Sequence, residues 1–395
     1  MLLAFATPAA LAAPAAPDPV AHWNTQLLAA VRAANLAPPA VSRELAILNV
    51  AMFEAVNAAT GLQYTPYRAT ALAPGADPRA VADAAGRTVL NALHPGKPMI
   101  EPSGLGRRIA LDLLAERQDD GAALVVPPYL GGDAPNKWRP TPPATAPGVL
   151  SQWPGVAPWV ITALLPYRPP GPPAPGSVAW LESLQTTESL GSADSKQRTA
   201  DQTEAALFWA DGDGTAGPPG HWISIAVEVA RANNLDLLAS SRLLALISMA
   251  EADAAIVAWD AKYHYALWRP VTAIRAQGNR IWTPLLKNPS FPEYVSGHSL
   301  FSAAGAELLC LYFGTDKLAF SITSDARELP GTVHQYESFS EAVTEAGASR
   351  IWGGLHYPFS DRDGQVAGRA VADSVFTHAL LPIGQPPPVA ACRRP

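Results

Sequence analysis

Five side chains between residues 262 and 356 have the chemistry to bind and transform a tetrahedral oxyanion. They are three cations and two histidines: Lys262, Arg269, His298, Arg350 and His356. Cations and backbone N–H groups stabilise the charge of an oxyanion, and a histidine can transfer a proton near neutral pH. A second histidine can serve as a nucleophile or as a ligand. The set therefore predicts an oxyanion site with acid–base chemistry.

The first two cations have the spacing of one helix face. Lys262 and Arg269 are seven residues apart, close to two helical turns, and Pro270 is predicted to end this helix. Two solvated charges on a helix surface would have the same spacing. Tyr263 and Trp268 between them are too apolar for a wet surface, so we interpret both cations as directed into the protein.

The middle segment reads Ser296-Gly297-His298-Ser299 and precedes a long apolar run that ends at Gly314. This pattern predicts a glycine turn that leads into a helix. The free N–H groups and the dipole at a helix start favour an anion, and His298 would lie beside it as a proton donor or acceptor. The tetrapeptide alone is weakly specific, because many helix starts look like it.

The last segment runs from Arg350 to Asp361. Arg350 and His356 are six residues apart, which places them on different faces of a straight helix. Gly353-Gly354 between them predicts a bend that turns both side chains inward. We expect Asp361 to orient the His356 ring by accepting a hydrogen bond from its second nitrogen.

Together the three segments resemble the vanadium-dependent haloperoxidases, which share fold and site with the type-2 phosphatidic acid phosphatases and bacterial acid phosphatases. The spacing agrees from Lys262 to His356, and the resemblance, closest to secreted bacterial members, extends to Phe208-Trp-Ala-Asp211-Gly and Pro218-Pro-Gly-His-Trp. It implies an all-α fold of two four-helix bundles side by side. It also implies a vanadate cofactor, in a site that phosphate could occupy.

The resemblance further implies roles for single residues. Lys262, Arg269 and Arg350 would bind the equatorial oxygens of the anion. Ser296 and the backbone N–H of Gly297 would add hydrogen bonds. His298 would be the acid–base residue. His356 would be the axial ligand to vanadium, or the nucleophile toward phosphorus. Trp259 and Phe291 match pocket-lining positions, with ordinary core packing as the equal alternative, and Asp211 resembles a buried carboxylate that pairs with a site arginine.

Two positions depart from the family pattern. Val295 stands where a proline commonly precedes the Ser-Gly-His turn. The acidic residue usually found four positions after the last histidine is Ser360 here, and Asp361 follows one position later. The predicted hydrogen bond between Asp361 and His356 is therefore the assignment that this departure affects most.

Two enzymatic functions fit such a site. A haloperoxidase would oxidise a halide with hydrogen peroxide at His356-ligated vanadate, with Lys262 polarising the peroxide, and halogenate a small organic substrate. A soluble acid phosphatase would cleave a phosphate monoester through a phosphohistidine at His356, while His298 protonates the leaving oxygen. A non-enzymatic oxyanion-binding protein is the third alternative. Chain length and the wider resemblance favour the haloperoxidase, and Phe291 is compatible with chloride as the halide.

Helices must position these residues, since no clear alternating strand run occurs. A first helix is predicted from Val20 to a break at Pro38-Pro39, and a second has Ser42 as its N-cap. Later helices are predicted at about 77–93, 102–118, 184–192, 198–210, 222–234, 238–264, 296–313, 336–350 and 361–380. The Pro-, Gly- and Trp-rich region at about 125–175 predicts a long ordered loop.

A weak internal sequence repeat supports two related helical bundles. Ser42-Arg43 matches Ser241-Arg242 at an offset of 199 (241 − 42 = 199), and Glu54 falls on Asp253 at the same offset. Chance similarity between Ala- and Leu-rich helices is the alternative. We divide the chain into an N-terminal helical half with Pro-rich loops, a C-terminal half that carries the site, and a Pro-rich tail: 14–232, 233–384 and 385–395.

The composition limits which kinds of binding partner are expected. The formal charge is −6, so a nucleic-acid partner is not expected, and no run of ~20 apolar residues predicts a membrane span. The first 17 residues carry no charged side chain, and residues 1–13 are predicted to be a signal peptide, which implies a secreted or periplasmic protein; a disordered Ala/Pro tail is the alternative.

Cys310 lies in an apolar helical stretch that favours a core thiol, although a disulfide with Cys392 stays open. A homo-oligomer is compatible with the sequence.

Overall fold

The computed structural model describes residues 18–96 and 104–393, in which helices predominate. The predicted signal peptide at residues 1–13 lies outside the described residues. The elements are α1 (Pro19–Ala34), α2 (Pro38–Ala59), α3 (Pro78–Leu93), α4 (Leu105–Glu116), a 3-10 turn (Trp153–Gly155), α5 (Val178–Gly191), α6 (Ala200–Phe208), α7 (Gly217–Ala232), α8 (Leu237–Tyr265), α9 (Pro270–Ala276), α10 (Gly297–Phe313), β1 (Phe320–Thr323), β2 (Val333–Tyr336), α11 (Phe339–Trp352) and α12 (Pro358–His378).

The predicted helical fold is confirmed, with one small sheet in addition. β1 and β2 pair antiparallel, from Phe320 opposite Tyr336 to Thr323 opposite Val333. β1 alternates apolar and polar residues, with Ile322 buried, but over four residues only, which is the shortest run that indicates a strand. Over the parts of the chain that are described, none of the helices combines the length and the apolar character needed to span a membrane.

Prolines begin several of these helices. α1 begins at Pro19, α2 at Pro38 and α12 at Pro358. Proline has no N–H to leave unpaired in the first turn, and its fixed φ suits a helix. Ser42 therefore lies inside α2, where its hydroxyl donates to the Pro39 carbonyl at 2.9 Å. The predicted N-cap at Ser42 was wrong, because Pro-Pro can open a helix as well as interrupt one.

Two groups of four helices form the two predicted bundles. The first consists of α1, α2, α3 and α4, and the second of α7, α8, α10 and α12. α2 packs against α8 where the bundles meet. At this contact Asn49 Nδ2 donates to Ser248 Oγ at 3.0 Å, and these two residues are 199 positions apart. The two helices that carry the sequence repeat therefore lie side by side.

The repeat extends to contacts between helices. A Cβ added to Gly86 of α3 would lie 2.4 Å from Trp23 of α1, and one added to Gly305 of α10 would lie 3.0 Å from Trp222 of α7. The two indoles are again 199 positions apart (222 − 23 = 199). The packing of an indole on a glycine therefore occurs in both bundles, although the two glycines are 219 positions apart (305 − 86 = 219).

The two carboxylates at the offset of 199, Glu54 and Asp253, hold loops in place. Glu54 accepts a hydrogen bond from the Tyr67 N–H at 2.7 Å, and Asp253 accepts one from the Trp159 N–H at 2.6 Å. Both carboxylates are buried, and each ties a loop to its own bundle. The loop held by Asp253 belongs to the Pro-rich region at 125–175, which lies against the helices as predicted.

Gly368 permits the close approach of α12 to α10. A Cβ at this position would lie 2.2 Å from the Leu300 carbonyl oxygen and 3.0 Å from the Ala303 Cβ. We expect Gly368→Ala to push the helices apart and lower the free energy of unfolding by about 1–3 kcal/mol, as measured in urea. Gly155→Ala is the control, because its Cβ position has no atom within 4 Å. Wild-type stability in Gly368→Ala would contradict the packing argument.

The boundary between the bundles lies before α7. The predicted division at 232–233 falls at the end of α7, yet α7 packs against α8 and α10. Its buried face includes Trp222, Ile225 and Val229. α7 contacts α8 and α10 more extensively than α2, so we group Gly217–Ala232 with the C-terminal bundle.

A disulfide attaches the C-terminal tail to the second bundle. Cys310 of α10 is bonded to Cys392, 82 positions later. The side chain of Cys310 is buried as expected, but the prediction that it is a free core thiol was wrong. Cross-linking a loop of this length restricts the unfolded chain and so favours the folded state.

Candidate active site

The three predicted segments converge at the N-terminal end of α10. Lys262 lies in the last turn of α8, Arg269 is the N-cap of α9, and Arg350 lies near the end of α11. Ser296 is the N-cap of α10, and His356 precedes α12 by two residues. These five residues are at most 3% exposed. The positive groups are therefore enclosed by protein.

One loop holds the first two cations. Lys262 Nζ donates to the Glu293 carbonyl at 3.0 Å, and Arg269 Nε donates to the Phe291 carbonyl at 2.9 Å. Both side chains also donate to the carbonyl of Pro292, at 3.2 Å and 3.4 Å. The two cations predicted to converge are thus brought together by this loop.

The helix that carries Lys262 ends close to the predicted bound of 264 and does not continue to Pro270, as the spacing of the two cations suggested. α8 stops at Tyr265, and Ala266 takes the left-handed conformation with φ 51°. Pro270 begins α9 and does not end α8. The prediction of one helix from Lys262 to Arg269 was wrong, because Ala266 breaks the helix and no glycine or proline indicates that break.

Glu293 orients the His356 ring. His356 Nδ1 lies 2.8 Å from Glu293 Oε1, which also accepts the Tyr357 N–H at 3.1 Å. His356 Nε2 lies 3.3 Å from Arg269 Nη1. A proton on Nδ1 is stabilised by the carboxylate, so Nε2 carries the lone pair and faces the cations. The ring is therefore prepared to act as a ligand or nucleophile through Nε2.

Asp361 does not make the predicted bond to His356. Its Oδ1 accepts from Gln365 Nε2 at 3.0 Å and would lie 2.1 Å from a Cβ at Gly347. The prediction was wrong because α12 begins at Pro358, so Asp361 lies in its first turn and faces α11. Sequence reasoning missed Glu293, which is 63 positions from His356. The available signal was a lone acid in an otherwise apolar run before the Ser-Gly-His turn.

His298, Asp211 and Arg350 form the opposite side of the site. His298 Nε2 lies 3.7 Å from Asp211 Oδ2, and Asp211 Oδ1 lies 3.3 Å from His221 Nδ1. Arg350 Nη1 donates to the Trp209 carbonyl at 2.8 Å. The structure therefore places Asp211 beside both the predicted acid–base histidine and a site arginine. His221, which the sequence analysis left outside the site, is the second histidine at this carboxylate.

Burial shifts the pKa values of the ionisable side chains in the site. Burial lowers the pKa of Lys262 well below its usual range, and the charge of Arg269 lowers it further. Burial also lowers the pKa of Arg269 to about 9 and that of Arg350 to about 10. The pKa values of His298 and His356 are held well below their usual range by burial and then by nearby cations. Both imidazoles are therefore neutral near pH 7.

The buried cations outnumber the buried anions. With each side chain in its ordinary ionised form, Glu293 and Asp211 face three cations, which leaves one positive charge in excess (3 − 2 = 1). Burial raises the pKa of Glu293 to about 7, while Arg269 and Lys262 oppose this rise. Because charge buried without a counter-charge is costly, this site favours an anion.

Free hydrogen-bond donors fit a tetrahedral or five-coordinate oxyanion. Arg350 Nε is a buried donor with no hydrogen-bond partner among residues 18–96 and 104–393, and His298 Nε2, which donates or accepts according to the protonation of the ring, also has none. Gly297 is the first residue of α10, so its N–H has no partner within the helix. Vanadate and phosphate both match this donor set, with His356 Nε2 as the nitrogen that vanadium would require.

Trp259 and Phe291 form an aromatic wall beside the cations. Their ring centroids are 5.0 Å apart, and Lys262 Nζ lies 5.0 Å from the Phe291 ring centroid. Trp259 Nε1 donates to the Val149 carbonyl at 3.3 Å, which joins the Pro-rich loop to this wall. The wall excludes water and so strengthens the electrostatic interactions inside the site.

Known proteins share this sequence pattern. The profile of the VCPO second helical-bundle domain matches residues 242–384. Vanadium chloroperoxidase from Curvularia inaequalis is 26% identical over 244 residues, which is 45% of this chain and 40% of that protein. The matched part of the chain thus spans less than half of that relative's length.

Solved structures share the whole fold. A structure described as the first bacterial vanadium-dependent iodoperoxidase superposes with a TM-score of 0.78 at 28% identity, and the match covers 90% of this chain and 95% of that one. An apo-type bacterial vanadium-dependent chloroperoxidase superposes with a TM-score of 0.71 at 16% identity, over 86% of this chain and 94% of that one. The second similarity concerns the fold alone.

Proposed function

We propose that this chain, which resembles vanadium-dependent haloperoxidases in sequence and fold, is such an enzyme: it oxidises a halide with hydrogen peroxide and halogenates small organic substrates. One observation carries the proposal. Glu293 holds His356 so that the lone pair of Nε2 faces the buried cations. A neutral imidazole nitrogen fixed by a carboxylate on its other side is the ligand that a metal centre of this kind needs.

The cations and the start of α10 would bind the oxygens of the cofactor. Lys262, Arg269 and Arg350 supply the positive charge, and Ser296 Oγ and the Gly297 N–H supply further hydrogen bonds. Vanadate, when bound, provides an electrophilic centre that activates hydrogen peroxide for oxygen transfer to a halide. In this proposal the chain holds that group, neutralises its charge and keeps bulk water away.

His298 would move the protons. Its neutral imidazole can accept a proton from hydrogen peroxide as the peroxide enters, and return it to the departing oxygen. Asp211 at 3.7 Å stabilises the imidazolium formed between these two steps. Lys262, beside Phe291, would polarise the peroxide.

Paired assays on the purified protein test this function. With vanadate and hydrogen peroxide, we expect halogenation of a reporter phenol in the presence of iodide, bromide or chloride. Iodide is the first halide to test, because the bacterial iodoperoxidase is similar over most of this chain. The parallel assay measures hydrolysis of an aryl phosphate. Strong hydrolysis that vanadate inhibits, without any halogenation, would replace this proposal with a phosphatase that works through a phosphohistidine at His356.

Oxyanion binding is expected to take up protons from the buffer. Burial and Arg269 lower the pKa of Lys262, and a bound anion would raise it again. Calorimetry of phosphate binding at alkaline pH, in buffers with different ionisation enthalpies, should show a net uptake of protons. Lys262→Gln should bind phosphate more weakly and with less uptake. Heats that are the same in every buffer would contradict the assignment of Lys262 to the anion.

We also propose that the protein is secreted or periplasmic. The Cys310–Cys392 disulfide supports this location, because disulfides persist in oxidising compartments. Cleavage of the predicted signal peptide at residues 1–13 would be detected from the mass of the exported protein.

A further inference from the structure

A single helix, α11, holds Trp209 at two points. The Trp209 carbonyl accepts a hydrogen bond from Arg350 Nη1 at 2.8 Å, and its indole Nε1 donates to Glu345 Oε1 at 2.9 Å. Arg350 and Glu345 both lie on α11, whereas Trp209 is the C-cap of α6. A carbonyl at the end of a helix has no partner within that helix, so it is available to a side chain from another element. α11 therefore supplies the site arginine and also fixes the residue to which this arginine binds.

The Trp209 carbonyl sets the direction of the Arg350 guanidinium. A guanidinium is planar and its N–H groups form a rigid fork, so a hydrogen bond from Nη1 restricts where the others point. Arg350 Nε is one of these others, and it is buried without a partner over the described parts of the chain. A displaced Trp209 carbonyl would turn this donor away from a bound oxyanion.

The chain makes a strained turn directly after Trp209. Asp211 has a φ of 44°, in the left-handed region, which costs free energy for a residue with a Cβ. Such a turn persists only where the surrounding contacts hold it. One face of the Trp209 indole stacks on His221 with ring centroids 4.4 Å apart, and Glu345 holds the edge of the indole. The position of Trp209 thus affects both the arginine and the carboxylate on this side of the site.

Glu345 orients every acceptor that the structure gives the indole N–H. Trp209 Nε1 lies 3.2 Å from the Tyr336 hydroxyl, and this hydroxyl itself donates to Glu345 Oε1 at 2.7 Å. His334 Nδ1 lies 2.8 Å from the same oxygen. Trp209 is buried, so bulk water cannot replace the carboxylate, and an indole N–H left without a partner there would be costly. Loss of Glu345 is therefore expected to displace Trp209.

We propose that Glu345 is a positioning residue for the oxyanion site, which fixes the Trp209 carbonyl through the indole and so orients Arg350. The inference deepens the proposed function, since it rests on an oxyanion binding beside Arg350. If Glu345 only stabilised the fold, its removal would lower the free energy of unfolding and leave the affinity for an oxyanion unchanged.

Two substitutions of Glu345 separate these roles. Glu345→Ala removes the acceptor, and calorimetry with inorganic phosphate should show about tenfold weaker binding, the loss of roughly one charge-assisted hydrogen bond. Loss of a negative charge would by itself favour an anion, so weaker binding cannot be an effect of net charge. Glu345→Gln keeps an acceptor oxygen and should bind phosphate within about threefold of the wild type. Unchanged affinity in Glu345→Ala, or an equal loss in both variants, would overturn the proposal.

Trp209→Phe tests the path through the indole. It removes the N–H group and keeps an aromatic ring against His221. We expect it to weaken phosphate binding about as much as Glu345→Ala, and the double variant to bind no more weakly than either single one. Additive losses would overturn the proposal, because the two residues would then act independently. Wild-type affinity in Trp209→Phe would also overturn it, and this variant decides the question if Glu345→Ala does not fold.

Glu204→Ala is the matched control. Glu204 Oε1 lies 3.4 Å from His334 Nε2, so it is a second carboxylate at the same histidine, while the indole bonds to Glu345 and Tyr336. Glu204→Ala should bind phosphate as the wild type does. A tenfold loss in this variant would overturn the proposal, because the effect would then arise from the charge at His334.

These measurements contain neither peroxide nor halide. A protein that binds phosphate with the expected pattern but halogenates nothing would refute the proposed function and leave this inference standing. A protein that halogenates but lacks the pattern would refute only the inference. A wild-type protein that binds neither phosphate nor vanadate would refute both, because the oxyanion site itself would be wrong.

Discussion

Replacing His356 with alanine is expected to remove vanadate-dependent halide oxidation. The variant should lose activity on the order of a thousandfold, which corresponds to about 4 kcal/mol of transition-state stabilisation. The reason is geometric: His356 Nε2 faces the buried cations as a lone pair, and Glu293 on Nδ1 keeps it there. The measurement is the rate of phenol halogenation with vanadate and peroxide, together with vanadate affinity by calorimetry.

A second histidine variant separates this effect from general damage. His378 lies at the end of α12, largely exposed, and its Nδ1 contacts the Ser374 carbonyl at 2.8 Å. His378→Ala should retain both activity and vanadate binding. If His356→Ala instead halogenated at the wild-type rate, the assignment of the axial ligand would be refuted, and with it the proposed use of this site.

Glu293→Gln is expected to produce the next largest loss, about 10–100-fold in halogenation rate and in vanadate affinity. The amide can keep the shape of the carboxylate but lacks its negative charge. It then no longer favours the proton on His356 Nδ1, and the net positive charge around the ring rises by one. The glutamine can also turn its NH₂ toward Nδ1, which would place the proton on Nε2 and block the ligand position.

The tautomer of His356 gives a readout that a merely structural role would not change. In the wild type, nitrogen NMR should show the proton on Nδ1, and Glu293→Gln should shift it toward Nε2. Asp361→Asn should leave the tautomer unaltered, because Asp361 bonds to Gln365 and not to the ring. A tautomer that responds to Asp361→Asn and not to Glu293→Gln would restore the original sequence assignment.

Local sequence determined the helical fold and most of the helix positions. Apolar residues at helical spacing predict α8 and α10 within a few residues, since burial of one face is encoded along the segment itself. The offset of 199 that joins Ser42 to Ser241 also indicated paired bundles, and the two helices that carry it lie in contact. The segments that carry Lys262, His298 and His356 do lie at one place.

Three errors have two causes. Ser42 and Asp361 each bond within their own helix, to Pro39 and Gln365, because α2 and α12 begin at prolines and not where the pattern indicated. Cys310 bonds to Cys392, 82 positions later, and no short-range pattern predicts a partner at that distance.

The amino-acid sequence by itself therefore determined which chemical groups are present, in which helices or turns they lie, and that cations and histidines are gathered in the second half. Tertiary structure alone decided which carboxylate serves which histidine. Glu293 and His356 are 63 positions apart, and only the packing of the loop at 291–295 against the start of α12 brings them within 2.8 Å. A hydrogen bond requires its donor and acceptor to lie about 3 Å apart, whatever their separation along the chain.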